Sequence, residues 1–133
     1  TTMSTTDLLH STPFATLPAL GESFEGGIFA GIITSKDGTH SAIVRLPENG
    51  TKLTWKKALT WATKQGGELP TRPVAALLFA NVKASLPSSW HWTSEEFDAS
   101  YAWYCGFGHG LQYFDIKSCE GSAVAVRLIP LTA

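Results

Sequence analysis

The sequence predicts an α+β domain in which two helices pack on an antiparallel sheet. Two β-rich runs, residues 26–34 and 40–47, come early in the chain, and two amphipathic helical segments follow them. The last third returns to alternating aromatic and β-branched residues, which is typical of strands. Because the helices are grouped together between strands, the pattern favours a segregated α+β arrangement over a parallel α/β sheet.

The composition indicates one folded domain. The chain has 133 residues, of which 44% are hydrophobic and 16% are charged, and this is enough apolar material for a single core. Ten basic and eleven acidic residues give a formal net charge of −1, and no stripe of lysines and arginines is visible. Nucleic acid is therefore not an expected partner. No segment reaches the roughly 20 apolar residues that cross a bilayer, so membrane insertion is not expected either.

Residues 1–24 predict an extended arm that precedes a domain at residues 25–133. The first twelve positions hold seven Thr and Ser residues, and two prolines then interrupt regular pairing. Leu17, Leu20 and Phe24 in this arm need apolar surroundings. The arm is therefore either a frayed terminus or a segment that lies on a partner subunit.

The first strands and both helices have recognisable boundaries. Asp37 and Gly38, between the two β-rich runs, predict a hairpin with a type I′ turn, since both central positions of that turn require positive φ. Thr54 and Thr71 are the expected N-cap residues of the two helices. The first helix is expected to end at a pair of glycines, and the second before Pro87.

The C-terminal third predicts a hairpin that turns at His109 and Gly110. A two-residue turn at that point pairs Cys105 with Phe114 and sorts the side chains of both strands onto two faces. The apolar face is expected to point inward and consists of Trp103, Cys105, Phe107, Phe114 and Ile116. The other face is expected to meet solvent or a ligand and consists of Tyr104, Gly106, Tyr113, Asp115 and Lys117.

The last predicted strand covers residues 122–128. Its valines at 124 and 126 and its leucine at 128 are expected to face inward, which places Arg127 on the same side as Tyr104 and Tyr113. Cys119 falls in the loop before this strand and does not face Cys105. The sequence therefore gives no basis for a disulfide between the two cysteines.

Five strings taken together resemble the C-terminal-domain family of the legionella collagen-like adhesin: GGIFAGII, GGELPTR, HWTSEE, AWYCGFGHGLQ and AVAVRL. The resemblance spans roughly residues 25–129. Many members of that family look like phage or prophage proteins, and the fold that the resemblance implies is C-type lectin-like. The chain departs from the pattern at Pro73, in a helical turn where relatives often carry an acidic residue.

Metal-binding patterns are absent from the sequence. Sugar-binding relatives hold calcium with Glu-Pro-Asn, Gln-Pro-Asp or Trp-Asn-Asp strings, and none of them occurs here. The acidic string SEEFD at residues 94–98 is therefore interpreted as a solvated loop. The four histidines have no His or Cys partner at a zinc-ligand spacing, so neither a metal nor another cofactor is expected.

Candidate catalytic groups are also weak. Cys105 with His91 or His109 is the possible nucleophile pair, but Cys105 falls on the apolar face, where a thiol tends to stay neutral. Glu95, Glu96 and Asp98 share one loop, and sequence neighbours rarely face each other across a glycosidic bond. No enzymatic activity is predicted.

The functional prediction rests on the aromatic residues that are expected at the surface. Trp55, Trp61, Trp92 and Trp103 are typical of a core. A second group is expected at the surface by alternation or loop position, and it forms the predicted ligand site: Trp90, His91, Tyr104, His109, Tyr113, Asp115, Lys117 and Arg127.

We therefore expect a non-enzymatic module that recognises a host surface glycan or protein. The resemblance implies a phage tail or adhesin component, which would be made in the host cytoplasm and carried on the virion. A homo-oligomer is expected, and the adhesin relatives suggest a trimer. The alternative is a small phage-encoded effector or assembly protein that acts by protein-protein contact.

Overall fold

The computed structural model describes residues 11–132 and contains two helices and an antiparallel-rich sheet, which confirms the α+β prediction. The helices α1 (Trp55–Lys64) and α2 (Arg72–Val82) follow each other in the middle of the chain. Neither helix in the described part of the chain is long and apolar enough to span a bilayer. The strands are β1 (Thr12–Pro13), β2 (Ser23–Phe24), β3 (Gly27–Thr34), β4 (His40–Leu53), β5 (Trp90–Glu96), β6 (Tyr101–Gly106), β7 (Gln112–Ile116) and β8 (Gly121–Thr132).

The sheet is organised around β8. Its strands lie in the order β2-β3-β4-β8-β5-β6-β7, and β1 also pairs with β8 in parallel. β8 pairs with β4 in antiparallel orientation over most of its length, whereas it meets β5 at one parallel pair, His91 and Ser122. The last strand of the chain therefore joins the early strands to the aromatic hairpin.

Two cores lie on opposite faces of β8. Ala123 and Ala125 point toward α1 and share a cluster with Ala58, Ala62 and Trp92. Val124 and Val126 alternate with these alanines and point toward α2. They belong to the second cluster, which also contains Val74, Leu78, Cys105 and Phe107. The alternation along β8 thus places small side chains under one helix and larger side chains under the other.

Both helices begin where the sequence predicts. The Thr54 hydroxyl accepts a hydrogen bond from the Lys57 backbone N–H, and the Thr71 hydroxyl accepts one from Val74, each at 3.4 Å. Pro73 lies in the first turn of α2, where its missing N–H removes no helical hydrogen bond. After Val82 the chain tightens into one 3-10 turn, so α2 ends before Pro87 as predicted.

The hairpin between β3 and β4 is confirmed, but its type I′ turn is wrong. Thr34 pairs with His40, so five residues form the loop. Gly38 has a φ of 87°, whereas Asp37 is not in the positive-φ region. The Asp37 carboxylate instead accepts a hydrogen bond from the Thr39 backbone N–H at 3.0 Å, which stabilises the longer loop.

Residues 11–24 of the predicted arm lie on the sheet. β1 pairs with the end of β8, and β2 forms a tight hairpin with β3. Leu17 and Phe24 pack against the α1-side core, which supplies the apolar surroundings that the sequence analysis requires for them. The same expectation is wrong for Leu20, which is exposed. The first part of the arm, residues 1–10, falls outside the described residues.

The predicted register of the β6–β7 hairpin is wrong by two residues. Trp103 pairs with Phe114, and Tyr104 pairs with Tyr113. The turn is longer than two residues because the N–H groups of His109 and Gly110 both donate to the Gly106 carbonyl. A two-residue shift keeps each side chain on its predicted face, since side chains alternate with a period of two.

Replacing Leu78 with Ala tests the α2-side core. Leu78 is fully buried, so we expect its truncation to lower the free energy of unfolding by about 2–5 kcal/mol. Urea denaturation measures this change. Leu111→Ala is the matched control, because Leu111 is 59% exposed and its truncation leaves no buried cavity. Equal stability losses in the two variants would contradict the described packing.

Candidate functional site

One face of the β6–β7 hairpin is only partly covered by α2. Cys105 and Phe107 are buried under the helix, as predicted for this face. Trp103 and Phe114 are only half-buried and Ile116 is 45% exposed, so the inward prediction is wrong for these three residues. The reason is that α2 begins at Arg72, beside Trp103, and leaves the rest of the face uncovered.

The uncovered region carries a cluster of rings, which Tyr113 joins from the opposite face by stacking on Phe114. We call this cluster the aromatic surface: Phe97, Tyr101, Trp103, Tyr113 and Phe114. Phe97 and Phe114 are stacked, with ring centroids 4.0 Å apart and planes within 6°. Tyr113 also stacks on Phe114, at 4.6 Å and 11°. Three rings are thus arranged in parallel at the edge of the sheet, and Phe97 and Tyr113 remain about half exposed.

The other two rings hold this stack from the side. Trp103 and Tyr101 meet Phe114 edge to face, with centroids 5.5 and 5.6 Å away and planes 82° and 83° apart. Phe97 also contacts Trp103 at 5.7 Å in the same T-shaped geometry. Such pairs stabilise ring positions beyond simple burial, so the aromatic surface is fixed by its own contacts.

Arg72 connects the aromatic surface to α2. Its guanidinium carbon lies 3.6 Å from the centroid of the Trp103 ring, in cation–π contact. Its Nε donates to Gln112 Oε1 at 2.9 Å, and Gln112 Nε2 donates back to the Arg72 carbonyl at 2.8 Å. The Arg72 side chain is therefore held across the hairpin by both its charge and a reciprocal pair of hydrogen bonds.

A cleft of about 920 Å³ lies directly beside the aromatic surface. Arg72, Gln112 and Glu95 form part of its wall, and Leu111 and Leu128 add exposed apolar area. Leu128 was expected to face inward and is 37% exposed, because its end of β8 lies at the border of this cleft. Arg72 lines the cleft and also contacts Trp103, so the cleft and the aromatic surface meet at this residue.

The loop prediction for the acidic string is wrong for Ser94, Glu95 and Glu96, which belong to β5, and the carboxylates of the string support this region structurally. Glu95 Oε2 accepts the Arg72 backbone N–H at 2.6 Å, and Asp98 Oδ1 accepts the N–H groups of Ser100 and Tyr101. Glu96 forms a 3.0 Å ion pair with Lys117. Each carboxylate thus has an internal partner, and no group of three or more possible metal ligands occurs within residues 11–132.

A second cleft, of about 620 Å³, lies between the β2–β3 turn and Arg45. The Arg45 guanidinium is buried and donates to the Leu46 carbonyl, the Asn49 side chain and the Ser85 carbonyl. Arg45 and Asn49 flank an irregularity in the β4–β8 pairing. These bonds therefore fasten a bulged strand to the segment after α2, which is a structural role.

The opposite face of the hairpin is covered at Tyr104 and exposed at Tyr113, so the outward prediction is wrong for Tyr104. Tyr104 is half-buried and packs with Trp90 at 5.0 Å against the α1-side core. Trp90 in turn meets Trp92 edge to face at 5.0 Å. The Trp90 ring covers Gly121, where an added Cβ would lie 2.5 Å from it, so the predicted site residues Trp90 and Tyr104 serve packing.

His91 is buried, with 1% of its surface exposed, and the expectation that it lies at the surface is wrong. Its Nδ1 donates to the Ser89 carbonyl at 2.7 Å, which leaves Nε2 as an unprotonated nitrogen. Nε2 has no hydrogen-bond partner among the described residues. Burial, with a smaller contribution from the charge of Arg45, lowers the pKa of His91 to about 4.

Cys105 and His91 pair across β5 and β6 without forming a catalytic dyad. No hydrogen bond reaches His91 Nε2 in the described part of the chain, and Cys105 is fully buried. Burial raises the pKa of the Cys105 thiol, which disfavours the thiolate. Cys119 is also a free thiol, and both burial and the nearby Asp115 raise its pKa.

The remaining predicted site residues are dispersed. Tyr113 lies in the aromatic surface, and Asp115 caps the N–H of the next residue at 2.7 Å. Lys117 lies 4.8 Å from the Trp55 ring and forms an ion pair with Glu96 at the end of β5. His109 is exposed in the turn, and Arg127 donates to the Glu25 carbonyl in the β2–β3 turn instead of facing Tyr104.

Sequence reasoning missed Phe97, Tyr101, Trp103, Phe114 and Arg72 as surface residues. Phe97 was interpreted as part of an acidic loop, although an aromatic residue between two carboxylates in a loop is itself a signal of a surface contact. The sequence analysis makes no prediction for Tyr101 and predicts that Trp103 and Phe114 face the core, because alternation places both on the apolar face. Alternation shows which residues share a face. It does not show how far a helix covers that face.

Comparison with known proteins identifies no relatives, since no family model and no curated protein sequence match the chain. The geometry of the aromatic surface and of the adjoining cleft therefore carries the functional inference.

His91 makes a testable contribution to the pH dependence of stability. In the unfolded chain its pKa is near 6.5, whereas in the folded protein it is about 4, so the unfolded state binds more protons between these values. This contribution is complete above about pH 6.5. We expect the free energy of unfolding to fall by about 3 kcal/mol through His91 as the pH decreases from 6.5 to 4.

Urea denaturation across this pH range measures the effect, with His91→Gln compared with wild type. The variant is expected to show a flatter dependence, because glutamine does not titrate. His109→Gln is the control, since His109 is exposed. An unchanged slope in His91→Gln would show that His91 protonates equally in both states.

Proposed function

We propose that this protein is a non-enzymatic recognition module that binds a receptor through the aromatic surface, in the manner of a phage tail tip or an adhesin domain. The observation that carries the proposal is a rigid stack of three rings at the sheet edge with two of them about half exposed. Exposed aromatic residues that are already fixed in position are typical of binding hot spots. A site on the virion surface is the location that this role requires.

The surroundings of the stack support binding over chemistry. The carboxylates near it are engaged in internal hydrogen bonds or an ion pair. The Cys105 thiol and His91 are buried under α2 and against Phe107, away from solvent. A surface that is apolar, rigid and poor in free acid or base groups is suited to recognition.

The ring geometry favours a protein receptor over a glycan. Sugar rings stack on open aromatic faces, but Phe114 is stacked with two other rings and Trp103 is covered by Arg72. Sugar hydroxyls also need free polar partners, and the nearby carboxylates are already occupied. The exposed apolar area in Phe97, Tyr113, Ile116 and Leu111 instead fits apolar side chains of another protein.

The alternative role, an intracellular effector or phage assembly protein, would use the same surface. It differs in the location of the partner and not in the chemistry of the contact. Binding to intact cells separates the two roles, because an intracellular or assembly partner is not available on the outside of a cell.

The test measures binding of the labelled protein to a panel of intact bacterial cells. Phe97→Ala and Trp103→Ala are each expected to weaken cell binding by about 30-fold or more, which corresponds to a hot-spot contribution of about 2 kcal/mol. Protease treatment of the cells is expected to abolish binding, whereas periodate oxidation of their glycans is expected to leave it intact.

Phe14→Ala and Ile32→Ala are matched controls, since both residues are exposed and apolar but lie on other parts of the fold. Melting temperatures verify that the variants are folded. Sensitivity to periodate alone would replace the protein receptor with a glycan. Absence of binding to every cell type, or undiminished binding by both aromatic variants, would overturn receptor recognition through this surface.

A further inference from the structure

The outer edge of β7 presents unpaired backbone groups. β7 is the terminal strand of the sheet, and β6 occupies only one of its two edges. The hydrogen-bond pattern shows which groups point outward. Gly106 N–H donates to the Leu111 carbonyl, and Lys117 N–H donates to the Ser100 carbonyl, so hydrogen-bonded pairs frame both ends of this hairpin.

Hydrogen-bonded and non-hydrogen-bonded pairs alternate along an antiparallel ladder. Residues 111, 113, 115 and 117 therefore direct their backbone groups toward β6. The residues between them direct theirs toward the open edge, and these are Gln112, Phe114 and Ile116. The hydrogen bonds at both ends of the hairpin give the same assignment of backbone groups to the inner and outer edges of β7. This assignment does not depend on the positions of side chains.

Ile116 is already satisfied within the chain. Its N–H donates to Asp115 Oδ1 at 2.7 Å, and its carbonyl accepts the Cys119 N–H at 2.9 Å. No comparable partner for the backbone groups of Gln112 and Phe114 occurs among residues 11–132. The open part of the edge is therefore confined to one donor and one acceptor on each of two residues, placed symmetrically about Tyr113.

We propose that a second copy of this chain pairs with this edge, β7 against β7, about a two-fold axis at Tyr113. In that arrangement Gln112 of each copy faces Phe114 of the other. Each copy contributes two N–H groups and two carbonyls. Together the two copies form four hydrogen bonds, so every outward-directed backbone group of Gln112 and Phe114 has a partner. The open edge is thus complementary to itself, which is the requirement for a closed two-fold dimer.

The side chains near the axis agree with this pairing. Tyr113 meets its own symmetry copy as a non-hydrogen-bonded pair, in which side chains lie closest and aromatic pairs are favourable. Leu111 and Tyr113 are 59% and 53% exposed, and both would become covered. In the dimer the receptor would therefore contact the part of the aromatic surface around Phe97, which is also exposed. The stretch from Leu111 to Phe114 carries no charge, so no like charges oppose each other at the axis.

The pairing has a consequence for recognition that is separate from the proposed function. It joins the aromatic surfaces of two copies into one sheet, so a partner with repeated sites is bound by both copies at once. The two-fold symmetry specifies a dimer and not a trimer. The dimer does not require the receptor proposal, since its contacts are made by backbone groups of the chain itself.

Amide hydrogen exchange followed by NMR tests the edge at residue level. In dilute protein the amides of Gln112 and Phe114 are expected to exchange rapidly, while those of Tyr113 and Asp115 are protected by β6. At high protein concentration Gln112 and Phe114 are expected to become protected as well. Protection of these two amides that does not change with concentration would overturn the pairing.

Three variants test the axis and the register by sedimentation equilibrium. Tyr113→Lys places two ammonium groups together at the axis and is expected to raise the dimer dissociation constant by about tenfold or more. Ile32→Lys, at an exposed position on β3, is the control and is expected to leave it unchanged. Leu111→Lys lies opposite Asp115 of the second copy and is expected to preserve or strengthen the dimer.

The Leu111 variant distinguishes strand pairing from unspecific hydrophobic association. Association that depends only on apolar area would weaken when Leu111 becomes charged. A dimer that survives Tyr113→Lys, or that is lost in Leu111→Lys, would overturn the proposed axis. Phe97→Ala is expected to weaken receptor binding and to leave the dimer intact, so failure of the two proposals can be told apart.

Discussion

The central position of β8 is the constraint on which the rest of the structure depends. β8 pairs with β4 along one edge and meets β5 on the other edge, and both of its faces are covered, so its residues 123 to 126 are completely buried. Alanines on the α1 side let that helix approach closely, while Val124 and Val126 fill the space under α2. Both helices are therefore drawn to the middle of the sheet, where they bury the most apolar area. The two helices therefore cover less of the strands that lie farthest from β8.

The aromatic surface follows from where α2 begins. Thr71 caps the helix and Glu95 accepts the Arg72 N–H, so the first turn is held at a fixed place over β5 and β6. A helix of eleven residues covers Cys105 and Phe107, whereas only its first residue, Arg72, contacts Trp103. The rings beyond its end have no helix to pack against and pack against one another instead. The aromatic surface is thus the exposed remainder of a face whose other half is core.

The sequence predicts local features well because local physics decides them. Both caps, both helices and the division of the hairpin into two faces follow from Thr54, Thr71 and strict alternation. The turn at His109 was predicted too short, since Gly106 accepts two N–H groups and no sequence rule indicates this. The exposure of Trp103 and the burial of His91 depend on which element covers which face. That depends on tertiary packing, so the sequence alone could not predict the site.

An aromatic surface whose rings are fixed before a partner binds makes the free energy of binding more favourable. Each ring in the stack of Phe97, Phe114 and Tyr113 is already restrained by its neighbours, so little side-chain entropy is lost when a partner covers it. The same contacts keep the rings partly buried in the free protein, which limits the cost of exposing them to water. Rigidity and partial self-burial therefore allow an apolar region of this kind to persist at the edge of a sheet. They also leave its outer faces and the adjoining strand edge available to other molecules.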